Sequence, residues 1–351
     1  MKRAITALLA LIMTLALAAC GGNNKSVGII GGADGPTQIL VTDQGKTEAP
    51  EPEKEEPPAR VFVLTGPTGV GAVNLWNRAE QGEENYQFTA ATAPTEIVAK
   101  ISNGEADIAA VSTNLAAALY NKTQGGVKVL CVNTLGVLNV LDNTGAEIKA
   151  LSDLKGRRIV TTGQGANPEY IINYLLRLDG LDPESDVEIE YKADGSELTA
   201  VWASDPEAVI IAPQPVATAI VGKYEGASLA LSLTGEWERL SPDSELMMGC
   251  MIVRSAFLEE HPETVNHFMM VYSQSVEDAL RDPAATGELC ERYGIVASAK
   301  MAQAAIPHCS LCFVTGKALR EGLGGYLQVL YEANPASVGG ALPGDDFWYA
   351  P

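Results

Sequence analysis

From Arg60 onward, short apolar runs alternate with stretches of helical spacing. Four such runs predict strands at residues 61–64, 86–91, 107–111 and 127–132. Between the first two, Val70, Val73 and Trp76 share one face of a predicted helix, which we interpret as a core face. Because strands that alternate with helices pair in parallel, this order predicts a mainly parallel sheet flanked by helices.

A second series of the same kind follows Leu154-Lys155-Gly156. Its apolar runs predict strands at residues 158–162, 187–191, 208–211 and 228–233. Asn167 is a good N-cap and Pro168 a favourable first helical residue for the helix after the first of these strands. Further along, a long helix from Pro262 carries an apolar stripe that we predict to be core: Val265, Phe268, Met269, Tyr272, Val276 and Leu280.

The two series predict an α/β protein with two lobes arranged as a clamshell. Lobe one comprises residues 60–133 and 236–351, and lobe two comprises residues 134–235. Each lobe is a mainly parallel sheet flanked by helices. A single doubly wound domain is the structural alternative.

The first twenty residues have the features of an export signal. Lys2 and Arg3 precede an apolar run over residues 4–19, and small residues stand directly before Cys20. This pattern predicts a signal peptide at residues 1–19 and attachment of a lipid to Cys20, which places the protein on the extracytoplasmic face of the cell membrane. An uncleaved signal anchor is the alternative, although the run is slightly short of the roughly twenty residues that span a bilayer.

Residues 20–59 are predicted to form a flexible, lipid-anchored linker. Residues 45–59 read GKTEAPEPEKEEPPA, a stretch rich in Pro and Glu without a large apolar side chain. Residues 27–37 resemble a signature loop of the beta subunit of sodium-translocating decarboxylases, but the membrane helices of that family do not follow. We therefore interpret residues 27–37 as a borrowed or accidental segment that forms a hairpin or short strand.

The acidic balance of the chain bears on its partners. Lys and Arg total 24 against 44 Asp and Glu, which gives a formal net charge of −20. Because binding to phosphates needs a basic face, we expect no nucleic-acid partner. The same charge disfavours adsorption to anionic lipid, so the acyl chain is the membrane anchor that we expect.

The sequence offers weak candidates for catalysis or metal binding. Five cysteines follow Cys20, namely Cys131, Cys250, Cys290, Cys309 and Cys312. The first two lie in apolar runs typical of a core. The last three are close enough in sequence to pair, and the sequence is compatible with either a disulfide among them or buried free thiols. A zinc site at His308, Cys309 and Cys312 would lack a fourth ligand, and we expect neither a metal nor another cofactor.

Four loops share one form, in which small polar residues follow a predicted strand and begin a helix. These loops are Thr68-Gly69-Val70, Thr92-Ala93-Pro94-Thr95, Ser112-Thr113-Asn114 and Gly165-Ala166-Asn167. Free N–H groups at a helix N-terminus attract anions and polar groups. Ligands of open α/β sheets bind beyond the carboxyl ends of the strands. A single loop of this form is also explained as a simple helix cap with a tight turn. Four such loops across two lobes, however, predict a shared ligand-binding cleft.

Several of these stretches resemble one family. Residues 163–172, residues 66–69, residues 104–109 and Ala212-Pro213-Gln214-Pro215 are similar to the nitrate/sulfonate/taurine/pyrimidine-precursor class of ABC-transporter solute-binding proteins. The resemblance covers residues 60–333, and Gln214 stands where that class usually has Glu. It implies a type II periplasmic-binding-protein fold that closes on a solute and passes it to an ABC permease with a cytoplasmic ATPase.

Carried over onto this sequence, the resemblance implies one set of ligand-binding residues. These are Thr68, Gly69, Val70, Thr95, Ser112, Thr113 and Asn114 from lobe one, with Gly165, Ala166, Asn167, Tyr170 and Gln214 from lobe two. The four loops contain no Lys or Arg, which favours a neutral or singly charged solute.

We therefore expect a monomeric solute-binding lipoprotein that delivers a small organic or oxyanion solute to an ABC importer. One alternative is a lipoprotein of the same fold that senses a ligand and signals to a membrane partner. Another is an enzyme, because pyrimidine-synthesising relatives share the fold. The His308-Cys309-Ser310-Leu311-Cys312 stretch is a poor match to their histidine and cysteine-rich iron site, so we expect no catalysis.

Overall fold

The computed structural model describes residues 27–28, 40–41, 57–145, 147–205, 207–242 and 244–350. The chain divides into two units, Met1–Glu56 and Pro57–Pro351. In the first unit, strands β1 (Val27–Gly28) and β2 (Leu40–Val41) pair in antiparallel fashion. The predicted signal peptide, Cys20, and the rest of the predicted linker up to residue 56 lie outside the described residues.

The second unit alternates strands and helices along the described chain. Its strands are β3 (Ala59–Leu64), β4 (Tyr86–Ala91), β5 (Ile108–Ser112), β6 (Val127–Thr134), β7 (Leu138–Asp142), β8 (Arg158–Thr162), β9 (Glu188–Lys192), β10 (Val209–Pro213), β11 (Leu229–Ser232), β12 (Gly249–Arg254) and β13 (Leu311–Val314). Its helices are α1 (Pro67–Val70), α2 (Val73–Glu80), α3 (Pro94–Ser102), α4 (Thr113–Thr123), α5 (Asn167–Leu178), α6 (Gly195–Ser204), α7 (Val216–Lys223), α8 (Leu233–Leu240), α9 (Ser255–Glu260), α10 (Pro262–Arg281), α11 (Pro283–Arg292), α12 (Ala299–Ala305) and α13 (Gly316–Ala333).

These strands form two sheets, which we call the large sheet and the small sheet. Among the described residues, the large sheet has the order β13-β6-β12-β5-β3-β4 and the small sheet the order β11-β7-β10-β8-β9. Only β12 and β13 run against the other strands of the large sheet, and only β7 runs against those of the small sheet. The prediction of mainly parallel sheets flanked by helices is therefore confirmed, but the apolar pattern missed β7 and β13.

Helix α13 connects the cores of the two sheets. It packs against β6 and α4 on the side of the large sheet and against α5 on the side of the small sheet. Its Tyr326 is fully buried and meets the ring of Trp237 edge-on, with ring centroids 5.5 Å apart. Trp237 also contacts Tyr174 of α5, at 4.9 Å between centroids. One apolar cluster thus extends from strands of the large sheet to strands of the small sheet.

The predicted core stripe of α10 is correct except at its end. Val265, Phe268, Tyr272 and Val276 are buried, and Met269 packs at the margin of the same cluster. Leu280 is 47% exposed and the neighbouring Ala279 is buried instead. The reason is helix geometry. Positions spaced four apart drift slowly around a regular helix, so that after four turns Leu280 points away from the sheet and Ala279 faces it.

Trp76 is also a core residue, as its helical spacing predicts. Its ring stacks between Phe88 at 5.6 Å and Tyr293 at 4.3 Å between ring centroids. Trp76 is half-buried and packs against the buried cluster that includes Val61, Val63 and Val70, which we call the large-sheet core.

The five described cysteines are free thiols. Burial raises the pKa of Cys290, Cys309 and Cys312 to about 12, and it raises the pKa of Cys131 and Cys250 further. Within the described ranges no three His, Cys, Asp or Glu side chains form a group that could hold a metal ion. No helix in those ranges is both long and apolar enough to cross a membrane.

Asp107 joins three strands at one end of the large sheet. The Arg60 guanidinium donates to both carboxylate oxygens, at 2.8 and 2.7 Å, and Arg254 donates to Oδ1 at 3.0 Å. Burial raises the pKa of Asp107, but the hydrogen bonds from both arginines outweigh that effect and leave the pKa below its ordinary value. The charged carboxylate therefore stabilises the fold.

We predict that Asp107→Asn lowers the free energy of unfolding by about 3 kcal/mol, because it leaves two partly buried guanidinium groups without their counter-ion. The stabilisation depends on pH. It is fully present above the unfolded pKa of about 3.9 and is lost as the pH falls through the lower folded pKa. Urea unfolding at several pH values measures both effects. The matched control is Glu105→Gln in the same loop, which removes an exposed carboxylate paired only with exposed Lys100 and should leave the urea midpoint close to that of the unchanged protein.

Candidate functional site

The strand-to-helix loops of both sheets open onto one cavity of about 350 Å³. The loops after β3, β4 and β5 reach it from the large sheet, and the loop before α5 reaches it from the small sheet. The lining residues are Pro67, Thr68, Pro94, Ser112, Asn114, Leu115, Thr134, Val137, Ala166, Asn167, Pro168 and Met248. The cavity thus lies at the carboxyl ends of parallel strands, where open α/β sheets bind ligands.

Five of the twelve predicted ligand-binding residues line this cavity. They are Thr68, Ser112, Asn114, Ala166 and Asn167. The local sequence explains their placement, because each follows a strand and begins or precedes the first turn of a helix. The structure therefore brings together residues that lie about a hundred positions apart in the chain.

Gly69, Val70 and Thr113 lie behind the cavity wall rather than in it. A Cβ at Gly69 would come within 2.4 Å of the Leu64 carbonyl oxygen, so glycine is required there by close packing. Val70 belongs to the large-sheet core. The Thr113 hydroxyl is buried and donates to the Met247 carbonyl at 2.7 Å.

The remaining four predicted residues also lie away from the cavity lining. Thr95 and Gly165 are exposed. The Tyr170 hydroxyl accepts from Asn334 Nδ2 at 3.0 Å and donates to the Gly165 carbonyl at 3.3 Å, which ties α5 to the end of α13. Gln214 is 2% exposed and precedes α7, and its Oε1 accepts from the hydroxyl of Thr218 in that helix at 2.7 Å. These contacts engage the Tyr170 hydroxyl and Gln214 Oε1 within the protein, whereas Gln214 Nε2 is buried without a hydrogen-bond partner among the described residues. Ligand binding by Tyr170 and Gln214 stays a prediction.

Seven lining residues were not predicted from the sequence. Pro94 lies within one of the four predicted loops, and Pro67 and Pro168 stand directly beside predicted residues, although none of the three is among the predicted ligand-binding residues. Leu115 likewise follows Asn114. In contrast, Thr134, Val137 and Met248 come from the ends of β6, β7 and β12, and only the tertiary fold brings them to the cavity.

Three helix N-termini face this cavity, those of α3, α4 and α5. Their N-cap residues are Ala93, Ser112 and Ala166, and none of them caps its helix with a side-chain hydrogen bond. The first-turn N–H groups of a helix have no intrahelical acceptor. The cavity wall therefore carries the positive ends of three helix dipoles. Its first-turn donors are fewer than in an ordinary helix start, because Pro94 and Pro168 have no N–H and the Thr113 N–H donates to the Met248 carbonyl at 3.0 Å.

The cavity lining contains no charged side chain among the described residues. Its polar side chains are hydroxyls and amides, together with Leu115, Val137 and Met248 as apolar surface. Such a wall stabilises polar groups of a ligand by hydrogen bonds and helix dipoles rather than by an ion pair.

A buried polar network supports the Thr68 loop. Asn133 Nδ2 donates to the Thr68 carbonyl at 3.1 Å and to the Tyr272 hydroxyl at 3.0 Å. The hydroxyl of Thr134, a lining residue, donates to Asn133 Oδ1 at 3.1 Å. The network ties α1, which holds Thr68, to β6 and α10.

A second cavity, of about 440 Å³, lies between α10 and β13. Met269, Met270, Phe313 and Tyr349 contribute to its wall. Its lining comes from elements on the large-sheet side and includes none of the predicted residues. We therefore treat the smaller cavity, which unites loops of both sheets, as the candidate site.

Two sheets that face each other across such a cavity define the two-lobe periplasmic-binding-protein-like fold, and solved structures confirm the predicted fold. An ABC transporter protein from Parabacteroides distasonis superimposes with a TM-score of 0.69 at 20% identity, over 84% of this chain and 99% of that one. The periplasmic aliphatic sulphonate binding protein SsuA from Escherichia coli gives a TM-score of 0.65 at 13% identity, over 84% and 92% of the two chains.

The alkanesulfonate-binding protein SsuA from Xanthomonas axonopodis pv. citri, bound to MOPS, gives a TM-score of 0.58 at 14% identity, over 83% of this chain and 96% of that one. Residues 86–286, more than half of the chain, match the family described as NMT1/THI5 like, and the chain belongs to that family. The predicted resemblance to solute-binding proteins of ABC transporters is thereby confirmed. No curated protein matches the sequence.

We predict that Asn133→Leu lowers the free energy of unfolding by about 2 kcal/mol, because it removes three buried hydrogen bonds and leaves their partners unsatisfied. Equilibrium urea unfolding measures the change. The matched control is Asn103→Leu, at the exposed end of α3, where we expect a change of less than about 0.5 kcal/mol. Equal stability of the Asn133 and Asn103 variants would contradict a supporting role for the network.

Proposed function

We propose that the protein is an extracytoplasmic solute-binding lipoprotein that delivers a small solute to an ABC importer. The observation that carries this proposal is the cavity at the facing edges of the two sheets, with Thr68 and Asn114 on one side and Asn167 on the other. A solute in that cavity contacts both halves of the unit at once. Such a solute stabilises the closed form, which a permease can distinguish from the empty form.

The size and chemistry of the cavity support a small solute. A volume of about 350 Å³ lies at the lower end of the range of about 300–1,000 Å³ typical of small-molecule sites. Its neutral wall suits a neutral or singly charged solute, because a multiply charged one would lose its hydration without gaining an ion pair. The proposal includes no catalytic step and no cofactor.

The two halves also meet at a second place. Helix α12 packs against α7. Helix α12 contributes to the large-sheet core, and α7 contributes to the buried cluster around Leu141, Val160 and Ile210 of the small sheet. Together with α13, this contact holds the two sheets on either side of the cavity.

The partners of the proposed function are an ABC permease with its cytoplasmic ATPase and the membrane itself. We propose delivery to an importer in preference to signalling, because a similar solved structure is described as an ABC transporter. The proposed anchor is a lipid on Cys20, and the proposed working form is a monomer. Expression in an exporting host followed by membrane fractionation tests the anchor. We expect the Cys20→Ser variant to be lost from the membrane fraction, and the control variant Cys312→Ser to remain in it.

The decisive test of function is retention of a solute by the full chain. We expect native mass spectrometry of the gently purified protein to show one bound small molecule, and Asn114→Leu to weaken its binding about ten-fold through loss of a hydrogen-bonding side chain. Lys122→Gln is the matched control, because it is exposed at the other end of the same helix. A solute retained equally by Asn114→Leu and the control would contradict binding in this cavity.

A further inference from the structure

The second cavity, between α10 and β13, takes no part in the proposed function. Its volume of about 440 Å³ exceeds that of the candidate site and lies within the range of about 300–1,000 Å³ typical of small-molecule sites. It shares no lining residue with the candidate site. The second cavity is therefore a separate compartment of the protein, with its own chemistry.

The wall of the second cavity is mainly apolar and polarisable. Its apolar lining consists of two thioethers, two aromatic rings and one leucine, which are those of Met269, Met270, Phe313, Tyr349 and Leu130. Its polar side chains are those of Asn266, Ser273 and Thr315, and none of the described lining side chains is charged. Methionine sulfur makes favourable contacts with aromatic rings, and aromatic side chains stack on other rings. Such a wall suits an uncharged aromatic molecule that carries a hydrogen-bonding substituent.

The walls of this cavity are held in place from two sides. The backbone N–H of Tyr349 donates to the Val129 carbonyl at 3.0 Å, and the Tyr349 hydroxyl donates to Asn266 Oδ1 on α10. The ring of Phe313 lies 6.3 Å, between centroids, from the ring of the fully buried Tyr272. Because these walls are fixed, a ligand binds here without a large cost for ordering the protein.

The surroundings of the second cavity favour a small molecule over a protein partner. Met270 is 64% exposed at the edge of the cavity, but the other outward positions of α10 around it are polar, namely His267, Gln274 and Glu277. A stable protein interface buries about 800 Å² on each partner and has an apolar centre. A single exposed methionine among polar side chains does not provide such a surface.

We propose that the second cavity is a binding site for a small, uncharged aromatic molecule. The ring packs among Met269, Met270 and Phe313, and its polar substituent forms a hydrogen bond with the hydroxyl of Ser273 or Thr315. The Thr315 hydroxyl is available for this bond, because it makes no capping hydrogen bond to α13. The proposal does not depend on the proposed function, since the two cavities have no residue in common.

Methyl NMR of the full chain, labelled at methionine Cε, tests the proposal and distinguishes the two cavities. Met269 and Met270 line the second cavity, and Met248 lines the first. We expect 4-methylphenol to shift the resonances of Met269 and Met270 saturably, with a Kd of about 1 mM or tighter, and to leave that of Met248 unchanged. Absence of saturable shifts at Met269 and Met270 up to about 10 mM, or a larger shift at Met248, would overturn the proposal.

A matched probe tests the class of ligand. 4-Methylcyclohexanol carries the same substituents on a saturated ring, so it keeps the hydrogen-bonding group and loses the aromatic one. We expect 4-methylphenol to bind at least about two-fold more tightly, because of its contacts with the sulfur atoms and rings of the wall. Equal or tighter binding of 4-methylcyclohexanol would contradict an aromatic ligand.

Substitutions on α10 locate the binding. Ser273→Trp places a large side chain in the cavity and is expected to abolish binding of 4-methylphenol, whereas Gln274→Trp, at the next and exposed position, should bind as the unchanged protein does. Met270→Gln removes apolar surface and should weaken binding about three-fold, with Met269 as the reporter. Its melting temperature should not change, because Met270 is already exposed. Unaltered binding by Met270→Gln, or binding retained by folded Ser273→Trp, would overturn the proposal.

Discussion

The packing of α13 between two sheets is the constraint on which the rest of the structure depends. Leu323, Tyr326 and Leu330 bury one face of this helix in a single apolar cluster that both sheets share. A close approach makes this packing possible, since a Cβ at Gly322 would lie 2.4 Å from Met247 Cε. Because the cluster links the two sheets, the loops at their carboxyl edges face the same cavity.

That geometry explains how a neutral cavity can bind a polar solute. The charged side chains of the large sheet pair elsewhere, as Asp107 does with Arg60 and Arg254. The cavity instead presents helix N-termini and amides, which are held in place by contacts such as that of Asn133 with the Thr68 carbonyl. Preorganised groups of this kind favour a neutral or singly charged solute by shape and hydrogen-bond pattern.

The sequence predicted what is decided locally. A strand followed by small polar residues and a helix defines where Thr68 and Asn167 lie, and the alternation of strands and helices defines the fold class. The antiparallel strand β7 and the lining residue Met248 depend on long-range pairing, which no local pattern shows. Gln214, which family resemblance places in the site, does not line the cavity, and its Oε1 accepts from the Thr218 hydroxyl of α7.

The measurement that tests the account most directly is a crystal structure of the full chain with its solute bound. The account predicts solute density in the cavity of about 350 Å³, in contact with Thr68 or Asn114 from the large-sheet side and with Asn167 from the small-sheet side. Density only in the cavity between α10 and β13, against Met269 and Phe313, would contradict it.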